Sequence, residues 1–463
     1  MTHQPISPTA HVPSLYERMG LTKRALMLGC VLYAGVGSVN AMDLLQAYTA
    51  ARQQDATILA SRATALIGQE RLPQARAQQL VNITATAGRN NNQLSSTTPN
   101  LLGVEQTTST SYPSSNETIT ARQPLYRPFL AAQYKQAVAQ VNDANATLAQ
   151  EEQNLAVRVA LAYFEAALNK EQLALILSQR TAYTSQLDAA NKALAGGTGT
   201  RTDIDEAQAR LDMALAQELE ARQNGIYTLQ QLGIIVNQRI DQVATLNVQK
   251  LQLLRPDPDS VEEWTRRADL NSPQLQSLRA QLEAARQEVE KANAGHLPTL
   301  DAIAQWSRSS SESVTNVSNR YTNKSLGLQL NIPIFSGGLV NSQIRQSLAA
   351  QERAEQTLEA AKRDLALRVF KEFRGVAESV PKIKALEQSL ASSDQLVLSS
   401  RKSFAAGSRT ALDVLNAEQQ RAVVLRDLAQ SRYLYLLSKI RLLALNGEAS
   451  LDAIAAINVT LEH

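Results

Sequence analysis

The sequence predicts a mainly α fold with a small β part, made from one unit used twice. Three observations predict it. The chain is rich in Ala, Leu, Gln, Glu and Arg and only 4% aromatic, a mix that favours long helices over a thick globular core. Two stretches, AGGTGTRTDI at 195–204 and AAGSRTALDV at 405–414, each place an Asp six residues after a Gly, 210 residues apart. Other landmarks recur in the same order. QARAQQLVNITATAG (74–88) matches KANAGHLPTLDAIAQ (291–305), and QPLY (123–126) matches IPIF (332–335). A period this long is an internal duplication, not a solenoid. It divides the chain into a first repeat, 42–250, and a second, 251–463.

Residues 1–41 read as an export signal. Arg18, Lys23 and Arg24 precede the apolar run ALMLGCVLYAGVG, and Val39 and Ala41 stand at −3 and −1 of a cleavage site. The run is too short for a membrane anchor. A start at Met19 makes a more compact signal. Cys30 lies inside the run, but Met27-Leu28-Gly29 before it is a poor lipid-attachment box. Removing 1–41 leaves a net charge of +1 and no Cys. The remaining chain has no redox chemistry of its own, and its balance of charge does not indicate a nucleic-acid surface.

Each repeat then has the same order of elements. A helical segment comes first, at 43–78 and 259–294. Two strand-like runs follow; VNITATA (81–87) and SLGLQLNI (325–332) alternate apolar and polar residues. Stretches such as NNNQLSSTTPN and SRSSSESVTNVSN read as exposed connections. Next is a very long helix. From Phe129 to Ala195 there is no Gly or Pro, and such a helix spans about 100 Å. Val141, Leu148, Leu155 and Ala162 fall seven apart, with Val159, Ala166 and Leu173 in a second row, which is coiled-coil spacing. In the second copy, 339–406, Gly375 and Pro381 break the run and predict a kink. A last helix completes each repeat, at 203–236 and 413–446. Between the two long helices of a repeat, the Gly ends one helix and Thr200 or Thr410 caps the next. Asp203 and Asp413 take the capping-box position. Each quoted stretch is the tip of an antiparallel helical hairpin.

Four strand-like runs cannot close a membrane barrel alone, because such barrels start at eight strands and lipid does not tolerate bare sheet edges. Either the strands form a small soluble sheet, or several chains share one barrel. The export signal and the long helices favour the shared barrel. Tyr112, Tyr126, Phe129, Trp306, Tyr321 and Phe335 lie near strand ends, where they serve either as interfacial girdles or as ordinary strand packing.

The stretches AGHLPTLD (294–301), IPIFSGGLVNSQIRQ (332–346) and AGSRTALDVLNA (406–417) resemble the TolC family of outer-membrane channels, also called outer membrane factors. The resemblance covers nearly the whole chain after residue 41. It implies a homotrimer whose twelve-stranded β-barrel, four strands from each chain, continues into a long α-helical barrel through the periplasm. It also implies outer-membrane lipid around the barrel and two docking partners. These are a periplasmic adaptor (membrane fusion) protein and an inner-membrane transporter, either ABC-type or proton-driven. No cofactor, metal or catalytic residue is implied.

By the same resemblance the tips hold a gate. Arg409 matches a tethering Arg, and Thr202 and Asp203 match its partners on the other hairpin. A tethering Tyr of the family falls at Phe404, which has no hydroxyl. Asp413 matches the first of two constriction carboxylates, and the second falls at Asn416. A trimer then carries fewer constriction charges, which implies weaker cation selectivity and weaker block by multivalent cations. The adaptor-contact tips fall at Gly196-Gly197-Thr198 and Ala406-Gly407-Ser408, without the family's Val. Read alone, Asp203 and Asp413 are sufficiently explained as helix caps, Arg409 as a solvated charge, and His296 as a structural residue at a helix-to-strand junction.

An enzyme lacks its parts here: only two His follow residue 41, with no phosphate-binding glycine loop and no carboxylate–His cluster. A soluble periplasmic coiled-coil adaptor or scaffold would explain the export signal and the heptads, but not paired strands before each long helix. Within the channel reading, type I protein secretion is favoured over multidrug efflux.

Overall fold

A computed structural model describes residues 41–313 and 316–461. The expected export signal lies outside them apart from Ala41, as does His463.

The first expected helix, 43–78, is three helices: α1 (Leu44–Gln54), α2 (Ala56–Gln69) and α3 (Arg71–Ala77). Asp55 makes the break between α1 and α2. Its extended backbone ends α1, and its carboxylate accepts from the Ile58 N–H to start α2. The same buried carboxylate is paired with Arg158 at 2.8 Å. The matching segment of the second repeat divides at Ser272 into α6 (Val261–Asn271) and α7 (Pro273–Asn293), with Pro273 opening α7, and a 3-10 turn follows over Ala294–His296.

The strands are longer than the alternating runs. They are β1 (Asn82–Pro99), β2 (Glu105–Tyr126), β3 (Thr299–Ser313) and β4 (Asn316–Asn331). They form one antiparallel sheet in the order β1-β2-β3-β4, so the two repeats join by the pairing of β2 with β3. The Asn/Ser/Thr-rich stretches expected as loops are mostly strand. Their backbones pair across the hairpins, as Asn92 does with Tyr112 and Ser309 with Tyr321.

The register explains why only part of each strand was legible. Leu326, Ala304, Ala121 and Ile83 line up across the four strands, and so do Lys324, Trp306, Ile119 and Ala85. Directly paired residues share a face. Leu328 beside Ala302 and Leu330 beside Leu300 continue that face toward the helices. The apolar band runs from Leu300 to Trp306, about 20 Å along the strand. The opposite face carries Thr84, Thr120, Gln305 and Gln329. Beyond the band both faces are polar, so alternation disappears while pairing continues.

Two long hairpins form the rest: α4 (Pro128–Ala195) with α5 (Arg201–Val236), and α8 (Leu339–Ala405) with α9 (Ala411–Leu445). At 68 and 67 residues, α4 and α8 each span about 100 Å. At Gly375 and Pro381, where a kink is expected, α8 continues as one helix. Pro381 withholds one N–H, but Phe373, Val376, Val380 and Ile383 around it are buried in the core, and tertiary packing holds the helix. On α4 the expected heptad rows are deeply buried only in the middle: Leu155 and Val159 are fully buried, whereas Val141, Leu148 and Leu173 are partly exposed.

That middle is where the connection between the repeats crosses the rods. Met42 bridges to Val243, and Leu246 to Leu461. Side chains of α4 and α9 hold the crossing segment. Tyr163 hydrogen-bonds the Ala244 carbonyl (2.9 Å), and Lys170 donates to the Val243 carbonyl (2.9 Å). Tyr433 accepts from the Leu246 N–H (3.2 Å) and donates to Glu171. Tyr435 donates to the Leu254 carbonyl (2.9 Å). Burial pushes the phenols of Tyr163 and Tyr433 far up, so both stay protonated donors. A short helix, α10 (Leu451–Asn458), packs beside α1 and closes this belt.

Candidate functional site at the helix tips

The tips are built alike. α4 ends at Ala195 and Gly197 takes φ +74°; α8 ends at Ala405 and Gly407 takes φ +74°. That left-handed conformation disfavours a side chain with a Cβ. The loop then folds back on the last helical turn. The Thr198 N–H donates to the Ala193 carbonyl (3.0 Å), and the Ser408 N–H to the Ser403 carbonyl (2.9 Å). Gly197, Thr198, Gly407 and Ser408 therefore stand at the extreme ends of the two hairpins.

Both expected capping boxes are present. The Asp203 N–H donates to Thr200 Oγ1 (3.2 Å), and the Thr200 N–H donates to Asp203 Oδ2 (3.0 Å). The Asp413 N–H donates to Thr410 Oγ1 (3.3 Å), and the Thr410 N–H donates to Asp413 Oδ2 (2.9 Å). The Asp413 carboxyl is held below the usual range. The Thr410 backbone N–H does most of this, then the Thr410 hydroxyl, with a smaller pull from the Arg409 charge.

Arg409 donates to Ser400 Oγ on its own hairpin (3.3 Å). Among the described residues, no hydrogen bond within the chain joins Arg409 to Thr202 or Asp203. Phe404 is 44% exposed and Thr202 is exposed. The two hairpins are instead joined further up. Arg210 of α5 donates from Nη2 to Asn416 Oδ1 of α9 (2.7 Å), and Tyr183 of α4 donates to Gln419 Oε1 of α9 (3.0 Å). Tyr183, Ala214 and Leu415 form a small buried cluster there, with Leu211 against it. Within the second hairpin, Arg401 of α8 pairs with Glu418 of α9 at 2.6 Å.

Of these residues, the sequence singled out only Asn416. Tyr183 was a visible signal, an aromatic far down an Ala-rich helix. Arg210 carried none, because its partner lies 206 residues away. His296 Nε2 lies 3.1 Å from Asn341 Oδ1, in keeping with a structural role.

At the other end of the rods, Arg127 makes a two-pronged pair with Asp301, which is only 4% exposed, and Arg122 approaches the same carboxylate at 3.6 Å. This pair fixes the step from β2 into α4. Of the aromatic residues, Tyr126 and Trp306 bracket the apolar band of the sheet, pairing with Leu300 and Ile119. Phe335, 89% exposed, follows β4, and Phe129 packs under the Lys291 ammonium (5.7 Å). Tyr112 and Tyr321 lie in the polar part. The band is open to the surroundings: Leu326 is 84% exposed, Leu328 70% and Ile83 67%. Among the described residues no helix is long and apolar enough to cross a membrane.

The chain matches the family model described as outer membrane efflux protein over residues 47–237 and 264–448, one stretch in each repeat. It is 32% identical over 424 residues to the proteases secretion protein PrtF of Dickeya chrysanthemi, covering 90% of each chain. It is 35% identical over 350 residues to the alkaline protease secretion protein AprF of Pseudomonas aeruginosa, covering 74% of this chain and 73% of that one. In fold it is similar to a solved membrane protein of Pseudomonas aeruginosa, with a TM-score of 0.75 at 15% identity over 89% of this chain and 92% of the other.

Proposed function

The chain belongs to the outer membrane efflux protein family, and on that premise we propose that it is the outer-membrane channel of a type I machine that secretes a protein. It is a transport protein and not an enzyme, and it lies in the outer membrane with a periplasmic extension. A soluble adaptor or scaffold is displaced by this membership.

The assembly we infer is a homotrimer. Its support is physical. Among the described residues β1 and β4 each pair on one side only, which leaves two bare edges beside an exposed apolar band. In lipid such edges must be paired. Three chains of four strands close a twelve-stranded barrel without an edge, and the rods below it continue as a helical barrel. The tips then face the periplasmic adaptor and the inner-membrane transporter, with Gly197, Thr198, Gly407 and Ser408 as the contact points. Arg409, Thr202, Asp203 and Phe404 serve the gate, Arg409 reaching its partners between neighbouring hairpins. Asp413 and Asn416 line the constriction.

The observation that carries the cargo reading is the likeness to a proteases secretion protein across 90% of both chains. Deleting the gene and comparing proteins in the culture medium tests it. Loss of a secreted protein, restored by the cloned gene, is expected. An unchanged medium together with new sensitivity to dyes and detergents would move the assignment to small-molecule efflux.

A further inference from the structure

The face of the sheet that carries the apolar band changes character along its length. Next to the rods it is apolar, and its paired rows from Leu300 to Ala304 hold no charged residue. Cations begin where the band ends. Lys324 pairs with Trp306 in the last apolar row. The next row holds Arg308, and the row after it holds Arg89 and Arg320, about 7 and 14 Å further from the rods. Directly paired residues share a face, so these cations lie on the side of the leucines of the band. All four are exposed. Among the described residues, none of their side chains is held by an ion pair or hydrogen bond. One carboxylate stands among them: Glu117 faces Arg308 across the β2–β3 pair. The opposite face is neutral at this height, with Asn116, Thr118, Ser309 and Asn323. A hollow of about 580 Å³ opens beside Arg89, and its lining includes Pro113, Ser115, Glu117 and Ser310.

We propose that Lys324, Arg308, Arg320 and Arg89 form a binding site for the phosphates of a glycolipid in the outer leaflet. The inference rests on the shared-barrel reading above. Cations placed only for solubility would fall on both faces of the sheet. These fall only on the lipid-facing side, and only on the border of the band away from the rods. With the rods in the periplasm, that border belongs to the outer leaflet. Beyond it the β1–β2 hairpin continues from Arg89 to Pro99, about 34 Å, with Asn91, Gln93, Ser95 and Thr97 on the same face. A lipid that fits has acyl chains against the band, phosphates at the height of the cations, and sugars along these hydroxyl- and amide-bearing strands. An Arg fork bonds a phosphate through two N–H groups, and Lys adds a point charge. Glu117 offsets Arg308, so Arg89, Arg320 and Lys324 supply most of the attraction. These three lie on the edge strands β1 and β4. In the shared barrel, β4 of one chain lies beside β1 of the next. The seam then gathers like charges, and an anion between them relieves their repulsion. The site is complete only in the assembled protein.

The test uses the assembled full chain, purified in detergent, with fluorescent bisphosphorylated lipid A as the probe. Arg89→Gln, Arg320→Gln and Lys324→Gln together should weaken binding about a hundredfold, roughly fivefold for each cation lost. Lys324→Arg keeps the charge and should keep tight binding. Lys250→Gln, on the crossing segment far from the sheet, should leave binding unchanged. Lipid A stripped of its phosphates should bind the wild type as weakly as the phosphorylated form binds the triple variant. Phosphatidylglycerol, an anionic lipid without a sugar phosphate, should bind more weakly than lipid A. Trimer formation on gels is checked for every variant. The stripped-lipid comparison uses the wild type alone, so it decides the matter even where a variant does not assemble. Equal binding by the triple variant and the wild type, or of stripped and phosphorylated lipid A, would overturn the site. Phosphatidylglycerol binding as tightly as lipid A would overturn the glycolipid as its occupant. A wild-type chain that forms no trimer on the gel removes the barrel reading, and this site with it.

Discussion

At the residue scale, the roles that could be read from the sequence were the ones with a local cause. Thr200, Asp203, Thr410 and Asp413 are three apart within each pair, and capping needs no distant partner. Thr410→Ala removes one of these caps and costs about 1 kcal/mol of local helix stability. Amide hydrogen exchange in the first turn of α9 should quicken several-fold, with the middle of the rods unchanged. The Asp413 carboxyl, its pKa depressed, contributes stability that is present above the ordinary carboxylate pKa and lost as pH falls through its lowered value. The cap should therefore hold at neutral pH and loosen only below about pH 4. Asp413→Ala should weaken block by multivalent cations, and unchanged block would remove Asp413 from the constriction. Arg127 and Asp301 were invisible as a pair because 174 residues separate them. Their substitutions should be unequal. Arg127→Met leaves a buried carboxylate facing only Arg122 and should cost about 3 kcal/mol. Asp301→Asn leaves an Arg that is one-third exposed and should cost less. The temperature at which the assembled protein dissociates on gels checks the order.

At the scale of elements, long helices were legible because 67 residues without Gly or Pro leave few alternatives. Strand ends were not, because strand beyond the lipid-depth band needs no apolar face. α8 also continues through a Gly and a Pro. Gly375 explains part of it: a Cβ there would meet Ser438 Oγ at 2.9 Å, so the missing side chain lets α8 and α9 approach closely. The glycine is a packing residue and not a breaker. Gly375→Ala should push the two helices apart and cost about 1–3 kcal/mol, as overpacking does. Thermal unfolding followed by circular dichroism measures it. A neutral result would mean that the Ser438 hydroxyl simply rotates away.

For the whole molecule, the duplication and the four strands of each chain were legible in the sequence, but the strand order was not. Nothing local says that β2 pairs with β3 and leaves β1 and β4 as the edges. The apolar band gives a test of where the sheet lies. Leu328→Arg places a charge on a side chain that is 70% exposed. In water the change is close to neutral, whereas at the depth of a bilayer it costs about 2–4 kcal/mol. Insertion into the outer membrane should fall sharply while helix content is retained.

The belt at the middle of the rods has a mechanical consequence. Tyr163 lies 32 residues before the end of α4, which makes the part of the rod below the belt about 48 Å long. A turn of about 5° about such a fulcrum swings the arm's end by about 4 Å, more than the length of a hydrogen bond. The Tyr163, Tyr433 and Tyr435 anchors lie at the belt itself, where the same turn would displace them hardly at all. A rod turning there would be a lever, held at its pivot and wide in its travel.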